Sequence, residues 1–289
     1  MDVLESVPNF SEGRDSATIE ALDSALSAHA RVLDRHADPD HNRCVFTIIG
    51  DEHQLVDALV GAVKVAIERI DLGRHLGEHP RIGAADVLPI VPLEPADLGR
   101  ARAVAARLGA ELGALGLPVF IYAPPERGPA FYRTGGTDRL AQRLATGELR
   151  PDFGPARLHP TAGGVLVGAR EPLIAFNVNL RGTLEDARAI AAAVRERDGG
   201  LRGVRALGLE LAGGGLVQIS MNVEDYAASP LQVILDAVAR HAQARGVELA
   251  GCELVGLLPA AALLPAAAER LGLPDLDVSQ VLELRLLES

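Results

Sequence analysis

The segment Arg74-His75-Leu76-Gly77-Glu78-His79-Pro80-Arg81-Ile82-Gly83 packs two histidines, an acid and two arginines between glycine and proline breakers. A zinc site written His-Glu-x-x-His needs both histidines on one face of a helix. Here the order is His-Leu-Gly-Glu-His, and Gly77 and Pro80 preclude a helix of useful length. Acid–base work fits better. Imidazole titrates near neutral pH, Glu78 can orient His79, and Arg81 can hold an anion beside it. A solvated charged loop with no function would also be written this way.

Two further polar clusters interrupt apolar elements. Val7-Pro8-Asn9-Phe10-Ser11-Glu12-Gly13-Arg14 lies between a strand-like and a helix-like segment. Its simplest reading is a helix N-cap by Ser11 with Arg14 in solvent; the sharper one is an anion-binding helix start. Asp38-Pro39-Asp40-His41-Asn42-Arg43 has the composition of a hairpin turn, and its acids and histidine match no standard metal spacing. No Walker motif or serine nucleophile elbow occurs. The glycines of Thr161-Ala162-Gly163-Gly164 lack the strand–GxGxxG–helix context of a dinucleotide site.

The elements that must position these residues alternate in period. Strands are predicted at 3–9, 31–36, 44–49, 86–91 and 118–122, with helices over 16–28, 51–70 and 95–112. From Pro124 to Gly164 the chain reads mainly as loop, with one short helix near 139–145, and loops that long are usually functional or disordered. Beyond it come a strand at 173–179, a helix at 183–197, a hairpin of 205–211 and 216–222, a helix at 229–245 and a strand at 253–257. That order is β-α-β-β-α-β, the split unit of ferredoxin-like domains. The first half starts in the same order, so two related α/β (α+β) subdomains are expected, 1–170 and 171–289. A helix follows from Ala260, and 281–287 is a short strand or helix.

Composition limits the partners. The chain has 289 residues, is 48% hydrophobic and carries a formal charge of −11, against the basic face that nucleic-acid binding needs. Of its 28 cations all but Lys64 are arginine, a fork suited to carboxylates. The N-terminus does not read as a signal peptide, no apolar run reaches membrane-span length, and Cys44 and Cys252 form no ligand spacing. A cytoplasmic protein without metal, nucleic-acid or membrane partners is expected, acting on small molecules.

Taken together, VPNFSEGR (7–14), HNR (41–43), GEHPRIGAADVLPIVP (77–92), PDFGP (151–155), VGAREPLIAFNVNL (167–180) and ELVGLLP (253–259) resemble the formiminotransferase domain of the glutamate formiminotransferases, over nearly the whole chain. The resemblance implies two ferredoxin-like halves with a cleft between them. It implies transfer of a formimino group from N-formimino-L-glutamate to tetrahydrofolate, the co-substrate, giving 5-formiminotetrahydrofolate and glutamate in histidine breakdown. It also implies a homodimer, with the cyclodeaminase fused in animal members supplied here by another protein. His79 matches the family's catalytic histidine, and Gly154, Pro155, Ala156, Arg157, Leu158, His159, Pro160, Thr161, Ala162 and Gly163 match its folate segment. This sequence departs at Ala162 and Leu76, where animal members carry an aromatic residue and a lysine. It departs again at His36, which aligns with a supporting acid; Asp34, Asp38 or Asp40 takes its place, or none does.

That chemistry assigns further roles. Both substrates carry glutamate carboxylates, so Arg43, Arg81 and Arg170 are candidate clamps. Asn177 and Asn179 share one strand face by the two-residue period and are candidates to bond the pterin or the amidine. Two rivals stay open: formyl transfer using the same residues, and a folate-binding protein without catalysis.

Overall fold

The computed structural model describes residues 3–39, 41–75, 81–122, 127–211, 215–273 and 276–281. His79, with the rest of 76–80, lies outside them, as do Asp40, the hairpin connection 212–214 and the tail 282–289. The chain divides into two compact units, 1–171 and 172–289.

The first unit begins with one strand broken at Val7-Pro8 into β1 (Leu4–Ser6) and β2 (Asn9–Phe10). α1 (Ser16–Ser27), β3 (Arg31–Asp38), β4 (Arg43–Gly50), α2 (Glu52–Arg69) and β5 (Ala85–Pro92) follow. Both β1 and β2 pair antiparallel with β4 on one side and β5 on the other, and β3 pairs with β4. This is the β-α-β-β-α-β unit the sequence suggested. It is then extended by α3 (Leu98–Ala114), β6 (Val119–Ile121), α4 (Pro129–Arg133), α5 (Gly136–Ala145) and β7 (Val165–Ala169). β7 runs parallel between β5 and β6.

Burial explains the extension. Every residue of β5 is buried, as expected of a strand covered on both faces. Leu88, Ile90, Val119, Val165 and Val167 join the core under α1, α2 and α3. The alternating residues Val87, Phe120 and Leu166 face a second core with Tyr132, Leu140 and Leu144 of α4 and α5. The short helix expected near 139–145 is α5, and the stretch holds a second, unexpected helix, α4; together they cover a sheet face that would otherwise be wet. Each fully buried large side chain there contributes roughly 1.5–3 kcal/mol. β7 escaped notice because Val165-Leu166-Val167-Gly168-Ala169 is a short, evenly apolar run with no period to read.

Local signals set the helix starts. Asp51 and Gln54 form a capping box on α2. On α1 the cap is Asp15, whose side chain accepts from Ala17 N, and not Ser11. Ser11 is tied elsewhere, four residues before the cap, as described below.

The second unit consists of β8 (Ile174–Arg181), α6 (Leu184–Val194), β9 (Val204–Glu210), β10 (Val217–Val223), α7 (Leu231–Ala244), β11 (Glu248–Val255) and α8 (Ala260–Leu271). Its antiparallel sheet has the order β11-β8-β10-β9, which is the ferredoxin-like arrangement. Val178, Leu180, Ile219 and Met221 pack against Ile190 and Val194 of α6 and Ile234 and Val238 of α7. β11 starts five residues earlier than the periodicity indicates, because Glu248–Cys252 lie at a half-exposed sheet edge with little apolar pattern.

Candidate active site

The three polar clusters of the sequence converge at one end of the first sheet. Ser11 is buried; its Oγ donates to Gly83 O at 2.7 Å and its N–H to Ala84 O at 2.8 Å. Gly13 N donates to Asn42 Oδ1 at 2.9 Å, with Asn42 at φ +49° in the turn. A Cβ on Gly13 would stand 2.2 Å from Asp38 O, so only glycine allows this approach. Arg81 closes the circle: Nη2 donates to His41 O at 3.1 Å and Nη1 to Asn42 O at 3.3 Å. Nη1 also lies 2.6 Å from Nδ1 and 2.7 Å from Nε2 of His75.

The same end holds residues 161–164. Leu72 N donates to Thr161 O at 2.8 Å, Ala84 N to Ala162 O at 2.9 Å, and Gly164 N to Ile82 O at 2.8 Å. Gly83 and Gly163 form an antiparallel bridge. Residues on both sides of 76–80, which include His79, are therefore bonded to residues 161–164. Within 154–163, His159 and Gly163 exchange backbone hydrogen bonds of 2.9 and 3.0 Å around a tight turn, and His159 Nδ1 accepts from Ala162 N at 3.1 Å. Gly154, Ala156, Arg157 and Pro160 are exposed, Pro155, Leu158, His159 and Thr161 half-buried, and Ala162 and Gly163 buried. The Ala162 methyl is core, so its polar groups serve the backbone.

Electrostatics are dominated by guanidinium groups around one acid. Burial, then Arg133, lowers Arg43 to about 10, while Asp86 opposes the shift. Arg81 is also lowered, chiefly by burial, with Asp86 supporting its charge and Arg133 and Arg14 opposing it. Burial first and the Arg81 charge second lower His75, so its neutral, accepting form is favoured beside the guanidinium. Asp38 pairs with His41 across the turn, an acid placed among the three candidates to replace the one aligned with His36.

Residue reasoning had not singled out Asp86 and Arg133. Asp86 hides in an apolar strand, and Arg133 in a helix read as loop. Arg170 lies farther along the sheet. Its N–H bonds Ile90 O, six residues along β5 from the Ala84 end, roughly 20 Å away, and its charge offsets the burial that raises Glu5.

In the second unit Asn177 and Asn179 do share a face, the one away from Val178 and Leu180. Asn177 is buried; its Nδ2 donates to Glu253 Oε2 at 3.1 Å and its Oδ1 accepts from Met221 N at 3.2 Å. Gln218 Nε2 donates to Asn179 Oδ1 at 2.9 Å and to Glu253 Oε2 at 3.0 Å. Gln218 and Glu253 are thus further members of a polar array that sequence alone had not assembled.

No described helix is long and apolar enough to cross a membrane. In a mixed α/β fold, residues on both sides of 76–80 are stitched to a glycine-rich segment, and comparison with known proteins supplies the class and the family. Residues 3–170 match the N-terminal subdomain of the formiminotransferase domain, and residues 175–272 match the formiminotransferase domain. A glutamate formimidoyltransferase from Thermoplasma acidophilum is 38% identical over 99% of this chain and 98% of its own length. One from Streptococcus pyogenes serotype M1 is 37% identical, covering 99% of each chain. The formimidoyltransferase-cyclodeaminase of Sus scrofa is 37% identical over 92% of this chain, which covers 52% of that protein. The chain belongs to the formiminotransferase family and is a transferase.

Proposed function

We propose that the chain transfers the formimino group of N-formimino-L-glutamate to N5 of tetrahydrofolate in the cytoplasm, with His79 as base and then acid. The observation that carries this reading is the bonding of both flanks of the His79 loop to Thr161, Ala162, Gly163 and Gly164. A ligand lying on the 154–163 segment is thereby brought to the loop.

The amidine of the donor is cationic at neutral pH, and N5 of the folate is a weak nucleophile. Attack of the N5 lone pair on the amidine carbon forms a tetrahedral carbon bearing N5, the amino group and the glutamate nitrogen. His79 takes the N5 proton and returns it to the glutamate nitrogen as that carbon–nitrogen bond breaks. The products are 5-formiminotetrahydrofolate and glutamate. Such proton transfer contributes on the order of 10²–10⁴ in rate, and positioning two substrates contributes more. Arg43 and Arg81 take the carboxylates as charge-assisted partners.

The test is turnover of tetrahydrofolate by the purified chain with formiminoglutamate and, separately, with formylglutamate. Faster transfer from the formimino donor is expected. Transfer only from the formyl donor, or binding without turnover, would replace this reading.

A further inference from the structure

Asp86 is the acid among the Arg43, Arg81 and Arg133 guanidinium groups, and it is 2% exposed. Its Oδ1 accepts the Ile82 N–H at 2.7 Å, the peptide directly after Arg81. Its Oδ2 pairs with Nη2 of Arg133, whose side chain is 16% exposed. Arg133 ends the five-residue helix α4, anchored by its neighbour Tyr132. The Tyr132 ring is fully buried, 5.1 Å from Phe120, and its hydroxyl donates to Ile121 O at 3.3 Å. A buried carboxylate of this kind is costly unless both oxygens are satisfied. Here each is spent on a different part of the site: one on the chain returning from the His79 loop, the other on a helix covering the opposite sheet face.

We propose that Asp86, through Ile82 N–H and Arg133, is a positioning residue for the transfer reaction. It fixes where Ile82, and with it Arg81, meets the sheet and keeps Arg43, Arg81 and Arg133 aimed as a carboxylate site. This rests on the function proposed above. With Asp86 removed, three like charges face one another without their shared counter-charge, so they splay and the returning chain loses its anchor. A displacement of about 1 Å can cost on the order of 10²-fold in rate.

The experiment is a double-mutant cycle of Asp86→Asn and Arg133→Gln, with folded fraction measured by thermal melting and kcat and KM determined for each substrate. Each single variant is expected to lower kcat by roughly 10–100-fold per folded molecule and to raise the KM of both carboxylate-bearing substrates. The double variant should be no worse than the poorer single one, since both remove one device. If Asp86→Asn does not fold, Arg133→Gln and Arg133→Lys decide, with a defect in the first and partial recovery in the second expected. An active wild type with wild-type kcat and KM in the folded variants, or losses that multiply in the double variant, would overturn this inference alone. A wild type without turnover would overturn the proposed function and this inference together.

Discussion

Gly83 and Gly163 pair across an antiparallel bridge where neither chain has room for a side chain. A Cβ on Gly83 would meet Gly164 O at 1.8 Å; on Gly163, at φ +70°, it would meet Ile82 O at 2.2 Å. This contact brings Gly83, four residues after His79 in sequence, against the segment expected to hold folate. Replacing Gly163 by alanine should cost at least about 1–3 kcal/mol, because it adds backbone strain to a clash with main chain. A urea midpoint equal to the wild type would show that the crossing is looser than this.

Ser11 ties the first cluster to the same crossing. Ser11→Ala removes the only side-chain donor recorded on Gly83 O among the described residues. The loss should be about 1–3 kcal/mol, the range for leaving a buried acceptor unsatisfied. Because α1 is capped by Asp15, helix content should be unchanged; a drop in helical circular dichroism would return Ser11 to a capping role.

His75 predicts a pH dependence. Its pKa is lowered in the folded protein, first by burial and then by Arg81, so the unfolded chain binds the proton more readily. Stability therefore falls as pH drops below the ordinary histidine value of 6.5 toward the lowered folded value. Between about pH 7.5 and about pH 5.5 the wild type should lose more stability than His75→Gln, which keeps an acceptor but does not titrate. Parallel stability–pH curves for the two would remove His75 from this coupling.

Arg81→Lys keeps the charge but not the fork that spans His41 O and Asn42 O. The donor KM should rise by roughly 10–100-fold, equivalent to losing about 1.5–3 kcal/mol of charged hydrogen bonding. The wild-type KM should also rise with salt. A KM indifferent to both changes would place the carboxylate elsewhere.

Much of the frame was legible because its signals are local. Asp51 with Gln54, and the alternation of Val217-Gln218-Ile219, specify elements from neighbouring residues alone. β7 and α4 were not legible, since an even apolar run and a five-residue helix draw their identity from the sheet they complete. The site followed the same division. Residue chemistry singled out the three polar clusters and Arg81, but their convergence depends on contacts such as Ser11 with Gly83, 72 residues apart. Asp86 was invisible because a carboxylate in a buried strand makes sense only beside Arg133, 47 residues away.

The central claim is that His79 moves the proton during formimino transfer. The most direct measurement is kcat of His79→Ala against the wild type at saturating tetrahydrofolate and formiminoglutamate, with melting curves for both. The expected result is unchanged folding and a kcat lowered by roughly 10² or more, with little change in either KM. A folded His79→Ala variant that retains most of the wild-type kcat would contradict it.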